Sequence, residues 1–394
     1  MRLTGRVAHT MPFASIFGHN RAVCALQKAL AEDMLVGAYL LVGPPGVGKT
    51  TLALAFAEAA ACLHPHSDPF DACGECDSCR RARANAHPEI TLIPPAGEQT
   101  QIWQFWDRDG RPPGILQHTL PFAPTIGRRR VYILERAETL NIAAANSLLK
   151  VLEEPPPYAL FLLLAPHPDR LLPTILSRVQ LVRLLPAPVN DLAAYLVKSV
   201  GLSPERARTL AVYAEGRTGT ALGLARNVIA EEEIARLLEL AETIPDSSPL
   251  RALQIAEAMR KIASGLKGLI NTEQAGAESG QEAGNGPEEG TPDEESSEPP
   301  SKERIGRRQL AIVIELLTAF YRDLLSLSLY GEEATIVHSD RRAHLAALAT
   351  HRSPQTWMAC LETLMLARKR LDQNVSVPLL TDWLATQLVL SAET

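Results

Sequence analysis

Two clusters in this chain have residue types and spacings suited to chemistry. Gly43-Pro44-Pro45-Gly46-Val47-Gly48-Lys49-Thr50 follows the phosphate-loop pattern G-x-x-x-x-G-K-[ST]. In such a loop glycines let backbone N–H groups converge on phosphate oxygens, Lys49 reaches the β- and γ-phosphates, and Thr50 can ligate Mg²⁺. Thr51 is counted with the loop, so residues 43–51 are the candidate site for ATP or ADP. The second cluster is Cys62, Cys73, Cys76 and Cys79, four thiols within eighteen residues. Two overlapping C-x₂-C steps bring three sulfurs to one centre, the ten-residue loop can fold Cys62 back to it, and tetrahedral Zn²⁺ suits such a set. His64 and His66 compete with Cys62 as the fourth ligand. A four-ligand site leaves no open position and is structural rather than catalytic. Reduced cysteines without metal are the alternative, and a redox C-x-x-C role is disfavoured because no pair stands alone.

A phosphate loop that works on ATP also needs a carboxylate for Mg²⁺ at the end of a neighbouring strand. Val131-Tyr132-Ile133-Leu134-Glu135 supplies Glu135. Hydrolysis further needs a group that orients or deprotonates water, normally a glutamate directly after that carboxylate. This chain has Arg136 there. A guanidinium stays protonated and cannot accept a proton, so Glu138 is the fallback.

These residues need a frame. Ala38–Val42 reads as a short buried strand, the glycine-rich turn follows, and a helix runs over Thr50–Ala61, the strand-loop-helix start of an α/β unit. Apolar residues at helical spacing precede it between Phe13 and Leu35. Further strands are expected at Glu89–Ile93, Arg130–Leu134, Leu160–Leu164 and Gln180–Arg183, with a helix at Ala143–Leu152. That alternation implies a parallel sheet covered on both faces. After Pro186-Ala187-Pro188 the strands cease. Helices are expected at Leu192–Val200, at Pro204–Ala214 with Ser203 as N-cap, and near Thr220. Longer Leu/Ala-rich ones are expected from Ala230 onward, at Glu257–Leu269, Arg307–Tyr330, Arg341–Ala349 and Pro354–Asn374.

The 394 residues suffice for two to four domains. Residues 271–304 interrupt the helices with ten Asp/Glu against two Lys/Arg and almost no large apolar side chain. This stretch cannot offset its own ordering entropy and is expected to be a disordered loop insertion. It carries more negative charge than the whole chain's −6, so the remainder is nearly neutral. A zinc-dependent DNA-binding module acting alone would need a basic face that this balance does not supply. No apolar run is long enough for a membrane span, and the N-terminus lacks the apolar segment of a secretory signal. The cytoplasm is the expected compartment, and the clustered cysteines fit it. Cys24 and Cys360 read as small buried hydrophobes.

The motifs in their order resemble the delta-prime subunits of the bacterial DNA polymerase III clamp loader, within the AAA+ superfamily. The resemblance is carried by the phosphate loop, the four-cysteine module, Asn146-Ser147-Leu148-Leu149-Lys150-Val151-Leu152-Glu153-Glu154-Pro155-Pro156, and Leu171-Leu172-Pro173-Thr174-Ile175-Leu176-Ser177-Arg178. It covers roughly residues 12–225 and implies an α/β fold: an AAA+ P-loop core (1–186) with parallel sheet and inserted zinc module (62–79), a small helical lid (187–228), and an all-α C-terminal collar (229–394) that oligomerises. Gamma/tau and delta subunits would be the partners, with the sliding clamp and primed DNA met through the complex.

Departures from the motor pattern of gamma/tau subunits point to the stator role. Glu135-Arg136 replaces Asp-Glu, Gly219 stands where a lid arginine would meet the γ-phosphate, and Pro166 follows Ala165 where a threonine is usual. The resemblance thus implies a subunit that does not hydrolyse ATP on its own and that offers Arg178 as an arginine finger in trans to a neighbour's ATP. An active gamma/tau-like ATPase is the alternative. By residue type alone Arg178 also fits a salt bridge at a helix end. Glu153-Glu154 before Pro155-Pro156-Pro157 reads as a helix end halted by proline. The segment Ile102–Arg111 sets Trp103 and Trp106 beside Arg108 and Arg111; it suits stacked bases, but a loop packing its aromatics on the core is the favoured reading. Arg128-Arg129-Arg130 is a short basic run before a strand; a DNA phosphate could be met there, but three solvated charges need no function and are the favoured reading.

Overall fold

The computed structural model describes residues 12–97, 99–226, 228–266, 306–338, 341–373 and 375–391. They fall into two compact units: the described residues up to Pro188 together with Gly216–Gly219, and Val189–Glu215 with the described residues from Thr220 onward. The expected insertion 271–304 lies outside the described residues.

In the first unit a 3₁₀ turn at Phe13–Ser15 leads into α1 (Asn20–Ala31), β1 (Ala38–Val42) and α2 (Lys49–Ala61). A short hairpin, β2 (His66–Ser67) and β3 (Phe70–Asp71), and α3 (Asp77–Arg83) precede β4 (Ile90–Ile93). The unit continues through α4 (Ile115–Thr119), β5 (Arg130–Leu134), α5 (Ile142–Glu153), β6 (Ala159–Ala165), α6 (Pro173–Leu176) and β7 (Gln180–Arg183). The strands form one parallel sheet in the order β4-β5-β6-β1-β7. Strands read from continuous apolar runs do form, because both faces are covered and every residue of β1, β5 and β6 is buried.

Side chains alternate between the faces with period two. Tyr39, Leu41, Val131, Ile133, Leu160 and Leu162 join a core with α1 and α2. Leu40, Val42, Tyr132, Leu134, Phe161 and Leu163 join a second with α5, Phe105 and Leu116. Strand β1 lies between β6 and β7, where the chain order reverses, and open α/β sheets bind ligands beyond the carboxyl ends of strands at such a point. The loop after β1 is the phosphate loop.

Among the described residues after β7 the regular elements are helices, as expected: α7 (Val189–Val200), α8 (Pro204–Tyr213), α9 (Thr218–Arg226), α10 (Val228–Thr243), α11 (Ala252–Gly265), α12 (Arg307–Tyr330), α13 (Arg342–Ala349), α14 (Pro354–Asp372) and α15 (Val377–Ser391). Ser203 caps α8 by accepting from the Arg206 N–H at 3.4 Å. Helix α12 buries Leu310, Val313, Leu317, Phe320, Tyr321 and Leu324, an inward stripe at helical spacing. Two corrections apply. Helix α11 begins at Ala252 rather than Glu257 and ends at Gly265. Helix α15 was not expected; its Pro378 lies in the first turn, where proline is tolerated. No helix among the described residues is long and apolar enough to cross a membrane.

Candidate nucleotide and metal sites at the two ends of one helix

Helix α2 is buried from Leu52 to Ala61 and apolar there on every side but for Glu58, as suits a helix inside a covered α/β layer. Both candidate sites hang from it. At its N-terminus Gly48 is the N-cap, with φ 110°, and no side chain caps the first turn. Gly46 also has positive φ. At Gly43 a Cβ would lie 2.5 Å from the Leu184 carbonyl oxygen, so only glycine fits there. The Lys49 Nζ donates to the carbonyls of Gly43 at 2.7 Å and Pro44 at 3.0 Å. Thr50 and Thr51 follow in the first turn, half-buried. An uncapped helix start behind a glycine loop suits phosphate, since its N–H groups and dipole favour an anion.

Glu135 lies at the carboxyl end of β5, 7% exposed, with its N–H donating to the Ile93 carbonyl. Arg136 adopts a left-handed conformation, φ 51°, and turns the chain into a 3₁₀ turn at Ala137–Thr139. Glu138 is the more enclosed of the two side chains after Glu135, with its Oε1 3.9 Å from Arg136 Nε. Burial pushes the Glu138 carboxyl above its ordinary range, against the pull of Arg136, Lys49 and Arg170.

Arg178 follows α6. Its guanidinium donates to the Thr174 carbonyl at 3.0 Å and to Ser177 Oγ at 3.1 Å, and lies 3.4 Å from Glu153 at the end of α5. The helix end expected at Glu153 is therefore present and acts as a salt-bridge partner. Gly219 lies against the phosphate loop: its N–H donates to the Gly46 carbonyl at 2.8 Å.

At the C-terminal end of α2, the sulfurs of Cys62, Cys73, Cys76 and Cys79 all lie within 4.8 Å of one another. The separations Cys62–Cys73, Cys62–Cys76 and Cys73–Cys79 are 3.6, 3.9 and 3.9 Å. A tetrahedron of metal–sulfur bonds about 2.3 Å long has edges of about 3.8 Å, so this donor set fits one metal ion. Cys62 completes the set, while His64 and His66 are exposed outside it. Backbone N–H groups of Cys73, Cys76 and Cys79 point at the sulfurs of Cys62, Cys73 and Cys76, each at 3.4 Å. Burial raises the Cys76 thiol, but the N–H groups of Cys79 and Leu63 and the neighbouring thiols outweigh it and bring it to about 6. Burial pushes Cys62 up to about 11 and Cys79 higher still. A metal would have to supply the charge that lets these two ionise.

Contacts that sequence reasoning missed hold this module down. The buried Asp71 carboxylate accepts from the N–H groups of Phe13, Ala14 and Ala72. Glu58 on α2, fully buried, meets the half-exposed Arg83 of α3 at 3.1 Å. His87 Nδ1 accepts from the Glu89 N–H, so its Nε2 carries the proton and donates to Ser78 Oγ, which in turn donates to the Ala61 carbonyl. The pairings that tie the module to the rest of the unit, Asp71 with Phe13 and Ala14, Glu58 with Arg83, and Ser78 with Ala61, join residues 17 to 58 positions apart, so no local pattern announces them.

The aromatic segment turns inward: Phe105 is buried, Trp106 packs on the second core, and Arg111 lies 5.6 Å over Trp103. The basic run is not three solvated charges. Arg130 is buried and bonds the Ala123 carbonyl, while Arg129 holds Asp33 at 2.7 Å and the Pro157 carbonyl. Cys360 is buried as expected, but Cys24 is exposed. A cleft of about 320 Å³ in the helical unit, lined by Arg206, Tyr213, Leu238 and Arg341 among others, includes no residue of either site.

Residues 18–188 match the family model described as DNA polymerase III, delta subunit. A DNA polymerase III subunit delta' of Bacillus subtilis is 26% identical over 371 residues, covering 93% of this chain and 95% of that one. The Pseudomonas aeruginosa subunit delta' is 40% identical over 141 residues, covering 36% of this chain and 40% of that protein. The tau/gamma subunit of Haemophilus influenzae is 35% identical over 166 residues, covering 42% and 22%. The chain thus spans nearly all of the first relative and well under half of the other two. The chain, with its parallel P-loop sheet, four-cysteine module and helical C-terminal region, is thus similar to DNA polymerase III delta' subunits, and in the Bacillus subtilis case over nearly its whole length.

Proposed function

We propose that this chain is a stator of the clamp loader: it binds ATP or ADP with Mg²⁺ through Gly43–Thr51 and Glu135 without turning it over, and lends Arg178 in trans to a neighbouring gamma/tau motor. The observation that carries the reading is Arg136 directly after Glu135, with a positive φ and a guanidinium that cannot take a proton from water. Gly219 supports it, since it offers a backbone N–H and no side chain. In this reading delta and gamma/tau subunits are the partners, the sliding clamp and primed DNA are met through the complex, the compartment is the cytoplasm, and 187–228 and 229–394 serve as lid and collar. Zn²⁺ is the proposed occupant of the four cysteines, with a structural role.

An arginine finger neutralises charge developing on a transferred phosphoryl group, and in trans it needs a guanidinium that can leave its own chain. The Arg178 side chain is 29% exposed and paired with a Glu153 that is itself 59% exposed, a pair weak enough to exchange. The motor reading keeps one observation in its favour, the half-buried Glu138 carboxyl within the field of Lys49. A reconstituted loader decides. Arg178→Ala should lower clamp- and DNA-stimulated ATP hydrolysis by at least about tenfold, well inside the range for arginine fingers, and leave this chain's fold and nucleotide binding intact. Arg178→Lys should rescue poorly, because an ammonium does not reproduce the planar fork. Lys49→Ala should do much less harm to turnover. The opposite pattern, a crippling Lys49→Ala and a silent Arg178→Ala, transfers the chain to the motor class.

A further inference from the structure

The phosphate loop is held from outside by groups that belong to none of its own motif. His19, just before α1 and 6% exposed, places Nε2 2.8 Å from the Val47 carbonyl oxygen. A carbonyl only accepts, so Nε2 carries the proton there. The next carbonyl back, Gly46, accepts the Gly219 N–H at 2.8 Å, and a Cβ on Gly219 would lie 2.8 Å from that same oxygen. The strap Gly216–Gly219 is anchored in turn. Gly216, φ +76°, accepts from the Ala187 N–H at 2.9 Å, and a Cβ there would lie 2.1 Å from the Ala187 carbonyl oxygen. Ala187 Cβ lies 3.2 Å from where a Cβ on Gly18 would sit, next to His19. Residues 18–19, 187 and 216–219 therefore close a belt around the loop, within one compact unit.

In a trans peptide the C=O and N–H point in opposite directions. Fixing the Gly46 and Val47 carbonyls outward turns the N–H groups of Val47 and Gly48 to the other side. Val47 N–H crosses the loop to the Pro44 carbonyl at 3.3 Å, and the Gly48 N–H lies on the opposite side of its peptide from the carbonyl that His19 holds. Two of the loop's residues have positive φ and are glycines, so without the belt this segment has many conformations to lose on binding.

We propose that His19 and Gly219 are positioning residues for the nucleotide phosphates: they set peptides 46–47 and 47–48 in the phosphate-binding orientation before a ligand arrives. The inference rests on the nucleotide-binding reading above and adds that the loop's affinity is fixed by contacts from outside it. Preorganisation of this kind raises affinity by removing an ordering cost.

The test is a titration of the full chain with fluorescent ADP and Mg²⁺, together with amide hydrogen exchange across residues 43–50 in nucleotide-free protein. His19→Ala should weaken binding by about three- to tenfold, the size of one lost hydrogen bond, and speed exchange in the loop. His19→Gln can present an N–H at similar reach and should restore both, whereas the shorter His19→Asn should not. Gly219→Ala, which collides with a backbone oxygen, should weaken binding at least as much as His19→Ala. Metal content and thermal midpoint report on the fold and should stay at wild-type values. Wild-type binding and exchange in His19→Ala and Gly219→Ala would overturn the belt and leave the nucleotide reading standing. A wild-type chain that binds no ADP would overturn both at once.

Discussion

The two ends of α2 hold opposite kinds of site. At Lys49 the donors are backbone N–H groups on a glycine loop, and the groups that shape it come from residues 18–19, 184, 187 and 216–219. At Cys62 the donors are four sulfurs drawn from eighteen residues, and the N–H groups that steer them come from the same short segment, those of Cys73, Cys76 and Cys79 among them. One site is open at a helix start and depends on the whole sheet unit for its shape. The other is closed and carries its geometry within its own turns. A ligand that must come and go suits the first arrangement, and a metal that stays suits the second.

The largest effect expected from breaking this contrast is at the closed end. Wild-type protein should carry about one zinc per chain by elemental analysis, and Cys73→Ser/Cys76→Ser should carry almost none. Without the metal the loop from Cys62 to Cys79 loses its closure, so α3 should become sensitive to proteases. Full retention of zinc by the double variant would move the ligands elsewhere. At the open end Lys49→Ala removes a charged donor to phosphate and should weaken Mg-ADP binding by at least about tenfold, with zinc content unchanged. If zinc is lost together with nucleotide, the two ends are not separate sites but one cooperative unit.

That difference also governs what could be read from the chain. The phosphate loop, β1, β5 and β7 lie where pattern and periodicity put them, because each is specified by residues adjacent in sequence. The sulfur set was legible for the same reason, and only the competition of His64 and His66 with Cys62 needed coordinates. His19 was not legible. Its partner lies 28 residues away, and a Gly-His pair ahead of a helix has no local signature. Gly219 could be read as a missing side chain, but not as a backbone donor to Gly46, which depends on a chain reversal 173 residues later. Arg129 and Arg130 were misread because charge alone does not reveal that Asp33 and the Ala123 carbonyl await them.

A smaller effect is expected where α3 is braced against the C-terminal end of α2. Glu58 is fully buried on α2, and Arg83 of α3 is its charged partner at 3.1 Å. Removing Arg83 strands a carboxylate in the interior, whereas removing the carboxylate releases an arginine that already reaches solvent. Arg83→Met should therefore cost about 2 kcal/mol in urea unfolding, discounted from the fully buried case because Arg83 is half-exposed. Glu58→Gln should cost less, and the double variant should recover part of the loss of Arg83→Met. Equal costs for both single variants would mean that packing, not charge, holds α3 to α2.

The smallest expected effect concerns a second backbone nest in the same unit, one already filled. The Glu89 carboxylate, 1% exposed, accepts from the N–H groups of Thr125, Ile126 and Gly127 and from Thr125 Oγ1. The nest holds the chain so that the next N–H, on Arg128, reaches the Ala61 carbonyl at the end of α2. It thus resembles the phosphate loop with the chain's own carboxylate in place of a phosphate. Burial raises this carboxyl, but the three backbone donors outweigh it and hold it below the ordinary glutamate value. The folded-state value being depressed, the stabilisation is fully present above the unfolded pKa of about 4.3 and is lost as pH falls through the folded value. Glu89→Gln keeps the shape but loses the charge, and its amide can satisfy only part of the nest. It should cost about 1–2 kcal/mol at neutral pH, and the difference from wild type should shrink as both are titrated below about pH 4. A penalty that stays constant down to pH 3 would show that the nest is held by packing alone and that the likeness to the phosphate loop is one of shape, not of charge.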